Sequence, residues 1–264
     1  MRIKVMVSGS GKMGREVLTA VAQAPDMEPV GVVDLLSAEE YISVPGTDAL
    51  IPFDRSPAAM IVRTRPDVVV DFTSGDWTPK VAGDALEAGV RLVIGTTGLP
   101  EKFISHLQAE CAKRGVGGVV APNFAIGAVL MQHMAQLAAR YFDHAEIIEE
   151  HHEGKLDAPS GTSIATARAM AAGRDKPMTV PHTQRETVPG TRGATVDGVT
   201  IHSVRLPGLV AHQEVIFGNP GETLRIRHDT VHRESFMPGV LLAVRKVMER
   251  NDLVVGLDRL IGLA

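Results

Sequence analysis

The sequence predicts an α/β protein in two parts: a doubly wound parallel sheet first, then an α+β region built on a mostly antiparallel mixed sheet. Three observations carry this. Short apolar runs alternate with helix-like segments from residue 3 to residue 120, the pattern of a parallel sheet with helices on both faces. A glycine-rich turn, Gly9-Ser10-Gly11-Lys12-Met13-Gly14, follows the first run. Beyond residue 198 the β-like runs succeed one another without intervening helices, which favours antiparallel pairing.

In chain order, residues 3–7 form the first strand, and 15–23, with Val17, Leu18 and Val21 at helical spacing, the first helix. The second strand, 29–33, ends at Asp34, 20 residues beyond Gly14. Strand, GxGxxG turn, helix, strand and acid at this spacing make a Rossmann-type dinucleotide fingerprint, whose glycines permit a tight turn, close approach of a pyrophosphate and close helix packing. Asp34 is placed to hold ribose hydroxyls and to repel a 2′-phosphate, so NADH is expected to be modestly preferred over NADPH, with Lys12 offsetting part of the repulsion.

Strands at 67–70, 91–94 and 118–120 alternate with helices at 78–88 and 100–114. Small or hydrogen-bonding residues follow each strand: Asp71-Phe72-Thr73, Gly95-Thr96-Thr97-Gly98 and Ala121-Pro122-Asn123-Phe124. Ligands of such sheets bind beyond the carboxyl ends of the strands, so these loops are expected to border the nicotinamide and its ribose; the same residues also serve as ordinary turn formers.

The second region opens with a helix whose apolar face is read as Ile126, Val129, Leu130, His133, Met134, Leu137 and Tyr141, with His133 at the core edge. Ala145-Glu146-Ile147-Ile148 is a strand feeding His151-His152-Glu153-Gly154-Lys155. Pro159-Ser160-Gly161-Thr162 then opens a helix, with a Ser or Thr as cap. Free N–H groups there attract an anion, and a bound carboxylate or phosphate would lie close to His151, His152 and Lys155. A surface turn with solvated histidines is the plainer reading of the same stretch. Residues 175–197 read as a long loop, 199–206, 213–217 and 223–227 as successive strands, and 236–249 as a closing helix with Val240, Leu241, Val244 and Val247 on one side.

At 264 residues and 44% hydrophobic, the chain is long enough for two ordinary domains. A net charge of −4 and 4% aromatic residues offer neither a basic field nor a stacking platform for nucleic acid. The single cysteine, Cys111, excludes an intrachain disulfide and reads as a bystander in a reducing cytosol. No apolar run reaches the roughly 20 residues a membrane span requires, so a cytoplasmic protein with a small-molecule partner is expected.

The block Glu149-Glu150-His151-His152-Glu153-Gly154-Lys155-Leu156-Asp157-Ala158-Pro159-Ser160-Gly161-Thr162 resembles the signature of bacterial dihydrodipicolinate reductases, also called 4-hydroxy-tetrahydrodipicolinate reductases. Val7-Ser8-Gly9-Ser10-Gly11-Lys12-Met13-Gly14, Gly95-Thr96-Thr97-Gly98 and Ala121-Pro122-Asn123-Phe124 look like that family's cofactor segments, in its order. The resemblance implies a dinucleotide-binding domain of residues 1–122 completed by 233–264, and a substrate-binding and oligomerisation domain of 123–232 in a homotetramer. It implies NAD(P)H-dependent reduction of a cyclic dicarboxylate on the route to diaminopimelate and lysine. By the same resemblance His151 is the catalytic acid/base, Lys155 the proton donor, and His152, Gly161 and Thr162 contact substrate, with the amides from Ser160 onward near its carboxylates. Glu153-Gly154 stands where relatives often carry more basic pairs, and Leu35 where some carry arginine.

Three rival readings remain. A metal-dependent hydrolase would draw on His144, His151, His152, His228 or His232, but no HExxH-like set is present. A nucleotide-sensing module of the same fold would bind NADH without turnover. Another amino-acid-precursor dehydrogenase would share the glycine turn but not the His151 to Thr162 block.

Overall fold

The computed structural model describes residues 2–263. It divides into two compact units, one formed by Met1–Ile126 with Phe236–Ala264 and the other by Gly127–Ser235.

The first unit is a doubly wound sheet. Its strands are β1 (Ile3–Ser8), β2 (Met27–Val33), β3 (Tyr41–Ser43), β4 (Leu50–Asp54), β5 (Val68–Asp71), β6 (Arg91–Ile94), β7 (Gly118–Val120) and, from the chain's far end, β13 (Leu253–Val255). They lie in the order β13-β7-β6-β5-β1-β2-β4-β3, parallel throughout except for the antiparallel β3–β4 pair at the edge. Val5–Ser8 and the whole of β5 are buried, as a parallel sheet covered on both faces requires.

Helices α1 (Lys12–Gln23), α2 (Pro57–Thr64), α3 (Thr78–Glu87) and α4 (Glu101–Arg114) connect these strands. Met6, Met60, Trp77, Val81, Leu92, Ile94, Leu107 and Cys111 pack in one core. Burial lifts the Cys111 thiol to about 11 and keeps it inert.

After the second unit the chain returns through a 3₁₀ turn (Arg233–Phe236), α7 (Met237–Val247), β13 and α8 (Leu257–Leu260). Arg245 on α7 holds Asp26 with two bonds of 2.7 and 2.9 Å. The sequence reading omitted β3, β4, α2, β13 and α8. They are short, and β3 and β4 lie among Pro45, Gly46 and Pro52, which read as loop.

The second unit is a five-stranded sheet ordered β12-β11-β8-β10-β9, with β8 (His144–His151), β9 (Ala194–Val196), β10 (Val199–Arg205), β11 (Ala211–Asn219) and β12 (Glu222–Thr230). Only β8–β10 is parallel. One sheet face packs Ala145, Ile147, Val199, Ile201, Val215 and Phe217 against Ala135 and Ala139 of the α5 segment (Ile126–Ala138 and the following turn) and Ala167 and Met170 of α6 (Gly161–Ala172). The expected loop at 175–197 is irregular apart from β9.

The face of α5 differs from the sequence reading. Ala128, Met131, Ala135 and Ala139 are buried, whereas Leu130, Met134, Leu137 and Tyr141 are exposed. Small residues let the helix lie close on the sheet, so the largest apolar side chains end on the outer side.

Candidate active site

Parallel-sheet geometry builds the candidate cofactor site of the first unit. Beyond each strand end the chain keeps pairing with its neighbour: Gly9 N–H donates to Val33 O, Phe72 N–H to Ser8 O, Gly95 N–H to Asp71 O and Ala121 N–H to Ile94 O. These bonds align Gly9, Phe72, Gly95 and Ala121 along one sheet edge. β1 lies between β2 and β5, where the winding reverses, and this switch point is where doubly wound sheets bind ligands.

The turn leaving β1 fits a pyrophosphate. Gly9 adopts φ +104°, and a Cβ on Gly14 would stand 1.9 Å from Gly9 O, so both positions demand glycine. Gly11 caps α1 without a side-chain partner and no acidic residue follows in the first turn. The helix N-terminus is therefore open to a phosphate. Lys12 is exposed and Met13 half-buried at this turn, while Ser8 beneath it is fully buried and accepts a bond from Trp77 Nε1 at 3.1 Å.

Asp34 is already engaged. Its Oδ2 accepts the Ser10 N–H at 2.7 Å and the Ser10 hydroxyl at 2.8 Å, and its Oδ1 accepts the Leu36 N–H at 2.9 Å. Burial raises its pKa, but the bonds from Leu36 and Ser10 outweigh this and hold the carboxyl below its usual range. The sequence reading has Asp34 accept bonds from the ribose hydroxyls; in the structure Ser10 already occupies one of its oxygens and the Leu36 amide the other.

The loops beyond β5 and β6 rest on Asp71, which the sequence reading placed in the loop facing the nicotinamide and which instead closes β5 as a buried carboxylate. Asp71 is fully buried and accepts the hydroxyls of Thr73 at 2.7 Å, Thr78 at 2.6 Å and Thr96 at 2.7 Å, while Thr96 Oγ accepts the Thr73 N–H at 3.0 Å. Phe72 meets Phe124 edge-on with ring centroids 5.5 Å apart. Asn123 turns inward to accept the Ala125 N–H at 2.8 Å, Pro122 and Thr97 are exposed, and Thr96 and Ala121 are buried.

The second unit carries its own candidate site at the end of β8, in the following loop and at the start of α6. Strand alternation puts Glu149 and His151 on the same face. Glu149 is fully buried. Its Oε2 accepts His151 Nδ1 at 2.5 Å and Arg205 Nη1 at 2.9 Å, and its Oε1 accepts Arg205 Nη2 at 2.7 Å and the Ser160 N–H at 3.3 Å. Burial pushes the Glu149 carboxyl up, but His151, Arg205 and Ser203 overcome that and hold it at about 2. A donor at Nδ1 leaves His151 Nε2 as the ring atom free to exchange a proton.

Lys155 pairs with Asp157 at 2.6 Å rather than standing alone. The lysine's hydrogen bond lowers the Asp157 pKa, with smaller help from the Gly161 amide. His152 is half-buried, and its ring lies over Gly154. Ser160 caps α6 by accepting the Ser163 N–H at 3.2 Å, while Gly161 is exposed and Thr162 half-buried. Under the cap, Ser163 Oγ donates to Gln213 Oε1 and Gln213 Nε2 to Thr166 Oγ, each at 2.9 Å. Since the Ser160 N–H is used by Glu149 and the Gly161 amide faces Asp157, an anion at this helix start would share the Gly161 amide with Asp157 and meet the Thr162 amide.

His151 and the α6 start thus meet at one buried acid, Glu149, while Lys155 pairs with Asp157 in the loop between them. Glu149 was legible as the inward neighbour of His151 two positions away; Arg205 and Gln213 become visible only once β10 and β11 are paired with β8. Among the described residues no group of three or more His, Cys, Asp or Glu side chains is arranged to hold a metal, and no helix is long and apolar enough to cross a membrane.

Comparison with known proteins agrees with this geometry. A family model described as dihydrodipicolinate reductase, N-terminus, matches residues 3–124, and its C-terminal counterpart matches 127–261. The 4-hydroxy-tetrahydrodipicolinate reductase of Moorella thermoacetica is 48% identical over 264 residues, covering 98% of each chain. That of Bacillus velezensis is 46% identical, also covering 98% of each. A dipicolinate-bound dihydrodipicolinate reductase from Paenisporosarcina sp. TG-14 superposes with TM-score 0.87 at 42% identity, over 98% of this chain and 99% of that one. An amine dehydrogenase from Mycobacterium smegmatis, at 14% identity and TM-score 0.68, shares the fold alone. With both halves of the chain matched and its sheets, loops and His151 block in the arrangement described, the protein belongs to the dihydrodipicolinate reductase family.

Proposed function

We propose that the protein reduces 4-hydroxy-tetrahydrodipicolinate to tetrahydrodipicolinate with NAD(P)H, in the cytoplasmic route to diaminopimelate and lysine. The observation that carries this reading is His151, held by a buried carboxylate and followed within one loop by Lys155 and a capped helix start. The first unit serves as the dinucleotide-binding domain and the second as the substrate domain.

Bound NAD(P)H supplies a hydride, and everything else falls to the chain. The open N-terminus of α1, with Ser8 to Gly14, holds the pyrophosphate; Asp34 anchors the adenosine ribose; Phe72, Gly95, Thr96, Thr97 and Ala121 to Phe124 border the nicotinamide half. His152, Lys155 and the amides of Gly161 and Thr162 hold the two ring carboxylates, which a helix N-terminus and an ammonium favour. His151 Nε2 and Lys155 Nζ are the proton sources for electron density that builds on the ring as hydride arrives. Balance requires one hydride and one proton per turnover, with the ring hydroxyl leaving as water.

NADH is used at least as well as NADPH, because Asp34 is anionic and Leu35 and Leu36 offer no cation to a 2′-phosphate; Lys12 keeps the preference near tenfold, about 1.4 kcal/mol. A homotetramer is what membership of the family implies, and the exposed Leu130, Met134, Leu137 and Tyr141 are apolar surface that an assembly would cover.

The test is loss of nicotinamide absorbance on adding fresh aldol product of pyruvate and aspartate semialdehyde. His151→Ala and Lys155→Ala should each lower kcat by about 10² to 10⁴ while leaving NADH binding intact. Pyridine-2,6-dicarboxylate should compete with substrate better than pyridine-2-carboxylate. Absence of turnover in the parent, or near-normal kcat in both variants, refutes the reading.

A further inference from the structure

Beyond the histidines and lysine, the second unit carries an ion pair between the fully buried Glu149 and the partly buried Arg205 that touches His151, the Asp157 carbonyl and the Ser160 amide. Glu149 binds the His151 ring and the Ser160 amide, and its partner Arg205 spans both carboxylate oxygens in a two-pronged pair. Arg205 Nη2 also donates to Asp157 O at 2.8 Å, inside the loop between Lys155 and the helix cap. Strand pairing fixes this geometry: Arg205 stands opposite His151 in the parallel β8–β10 register, and Leu206 N–H donates to His151 O. One fully buried carboxylate and one guanidinium thus join the imidazole, the lysine loop and the start of α6.

A buried ion pair is a poor device for stability alone. Taking both charges out of water offsets much of their attraction, and apolar residues of similar volume often serve as well. What such a pair does supply is orientation. A carboxylate on Nδ1 fixes which ring nitrogen faces outward and stabilises the imidazolium before its proton is passed on.

We propose that Glu149 is a positioning residue for proton transfer, aiming and charging His151 directly and, through Arg205, holding the Lys155 loop and the α6 start in register with it. The inference rests on the reductase reading given above. Charged or titratable groups on the bordering elements are Arg205 on β10, His212 and Gln213's neighbour Glu214 on β11, and Lys155 and Asp157 in the loop. Of these and Glu149, only Glu149 bonds the imidazole ring. The two partners therefore have separable duties: Glu149 sets the protonation of His151, and Arg205 sets the placement of the loop.

The experiment compares pH profiles of kcat and kcat/KM for the parent, His151→Ala, Glu149→Gln and Arg205→Lys proteins, with NADH affinity and circular dichroism as checks on folding. In Glu149→Gln the basic limb of the kcat profile should move to lower pH, because an imidazolium that has lost its anion gives up its proton sooner. Its kcat near neutrality should fall about 10²-fold, within the range general acid catalysis spans. Arg205→Lys retains the anion beside His151 but loses the two-pronged grip and the bond to Asp157 O. Its limb should stay in place while substrate KM rises several-fold.

A Glu149→Gln protein with parental profile and kcat within threefold of the parent overturns the proposal. So does an Arg205→Lys protein whose limb moves as far as that of Glu149→Gln. If Glu149→Gln fails to fold, Arg205→Lys decides by its own split between KM and limb position. His151→Ala separates the two levels: normal turnover there refutes the assignment of His151, whereas a collapsed turnover alongside an unmoved Glu149→Gln profile refutes only the role of Glu149.

Discussion

At the scale of single residues, the polar contacts around His151 set their own pH dependence. Glu149 titrates at about 2 instead of its ordinary 4.5. A depressed carboxyl stabilises the fold fully above its unfolded value, and that stabilisation disappears as pH falls from about 4.5 toward 2; linkage puts it on the order of 3 kcal/mol. The difference in unfolding free energy between parent and Glu149→Gln should therefore be large at pH 7 and shrink below pH 4.5, as read by denaturant melts at several pH values. A constant difference would mean that packing, not charge, is lost. Asp157 behaves otherwise. Asp157 itself is exposed in its pair with the half-buried Lys155, and pairs open to solvent are worth at most about 1 kcal/mol. Asp157→Asn should release Lys155 for ligand and tighten pyridine-2,6-dicarboxylate up to fivefold in an inhibition assay; weaker inhibition would show that Asp157 instead presents the lysine. His151, Lys155 and the Ser160 cap were legible because each belongs to one contiguous stretch. Arg205 lies 54 positions beyond His151, and only the β8–β10 register brings them together.

Among the elements, those built on long or strongly patterned segments were readable, and those defined by their neighbours were not. β1, α1 and β2 followed from glycine spacing and apolar runs. α5 shows the limit of periodicity: counting large apolar residues chose Leu130, Met134 and Leu137, while the sheet accepted the alanine side because close packing on strands rewards small residues. The loops after β5 and β6 are held by Asp71, whose three hydroxyl donors spend their single protons inward. Asp71→Asn would set an NH₂ group against at least one of those hydroxyls. Since an unsatisfied buried group costs about 1–3 kcal/mol, this variant should lose roughly that much stability and bind NADH more weakly; unchanged calorimetry and NADH titration would remove Asp71 from the cofactor site's support.

For the whole molecule, the proposed homotetramer has a test in the exposed apolar row on and after α5. Leu137→Glu should shift the species seen by light scattering toward monomer, with the circular dichroism spectrum retained; a parent that is monomeric at micromolar concentration would rule out this interface. Chain order adds something else. The first unit's sheet receives its outer strand β13, and the helix α7 against its flank, only from residues after 235. Residues 127–235 must be made first, and at roughly 5–20 residues per second that takes on the order of 5–20 s. During that interval β7 is an open edge on the nascent chain, available to the wrong partner. The loop of residues 121–125, with Ile126 at the start of α5, is the last part of the first unit to emerge before the wait begins, so a ribosome pausing within the second unit would prolong the exposure of a half-built sheet.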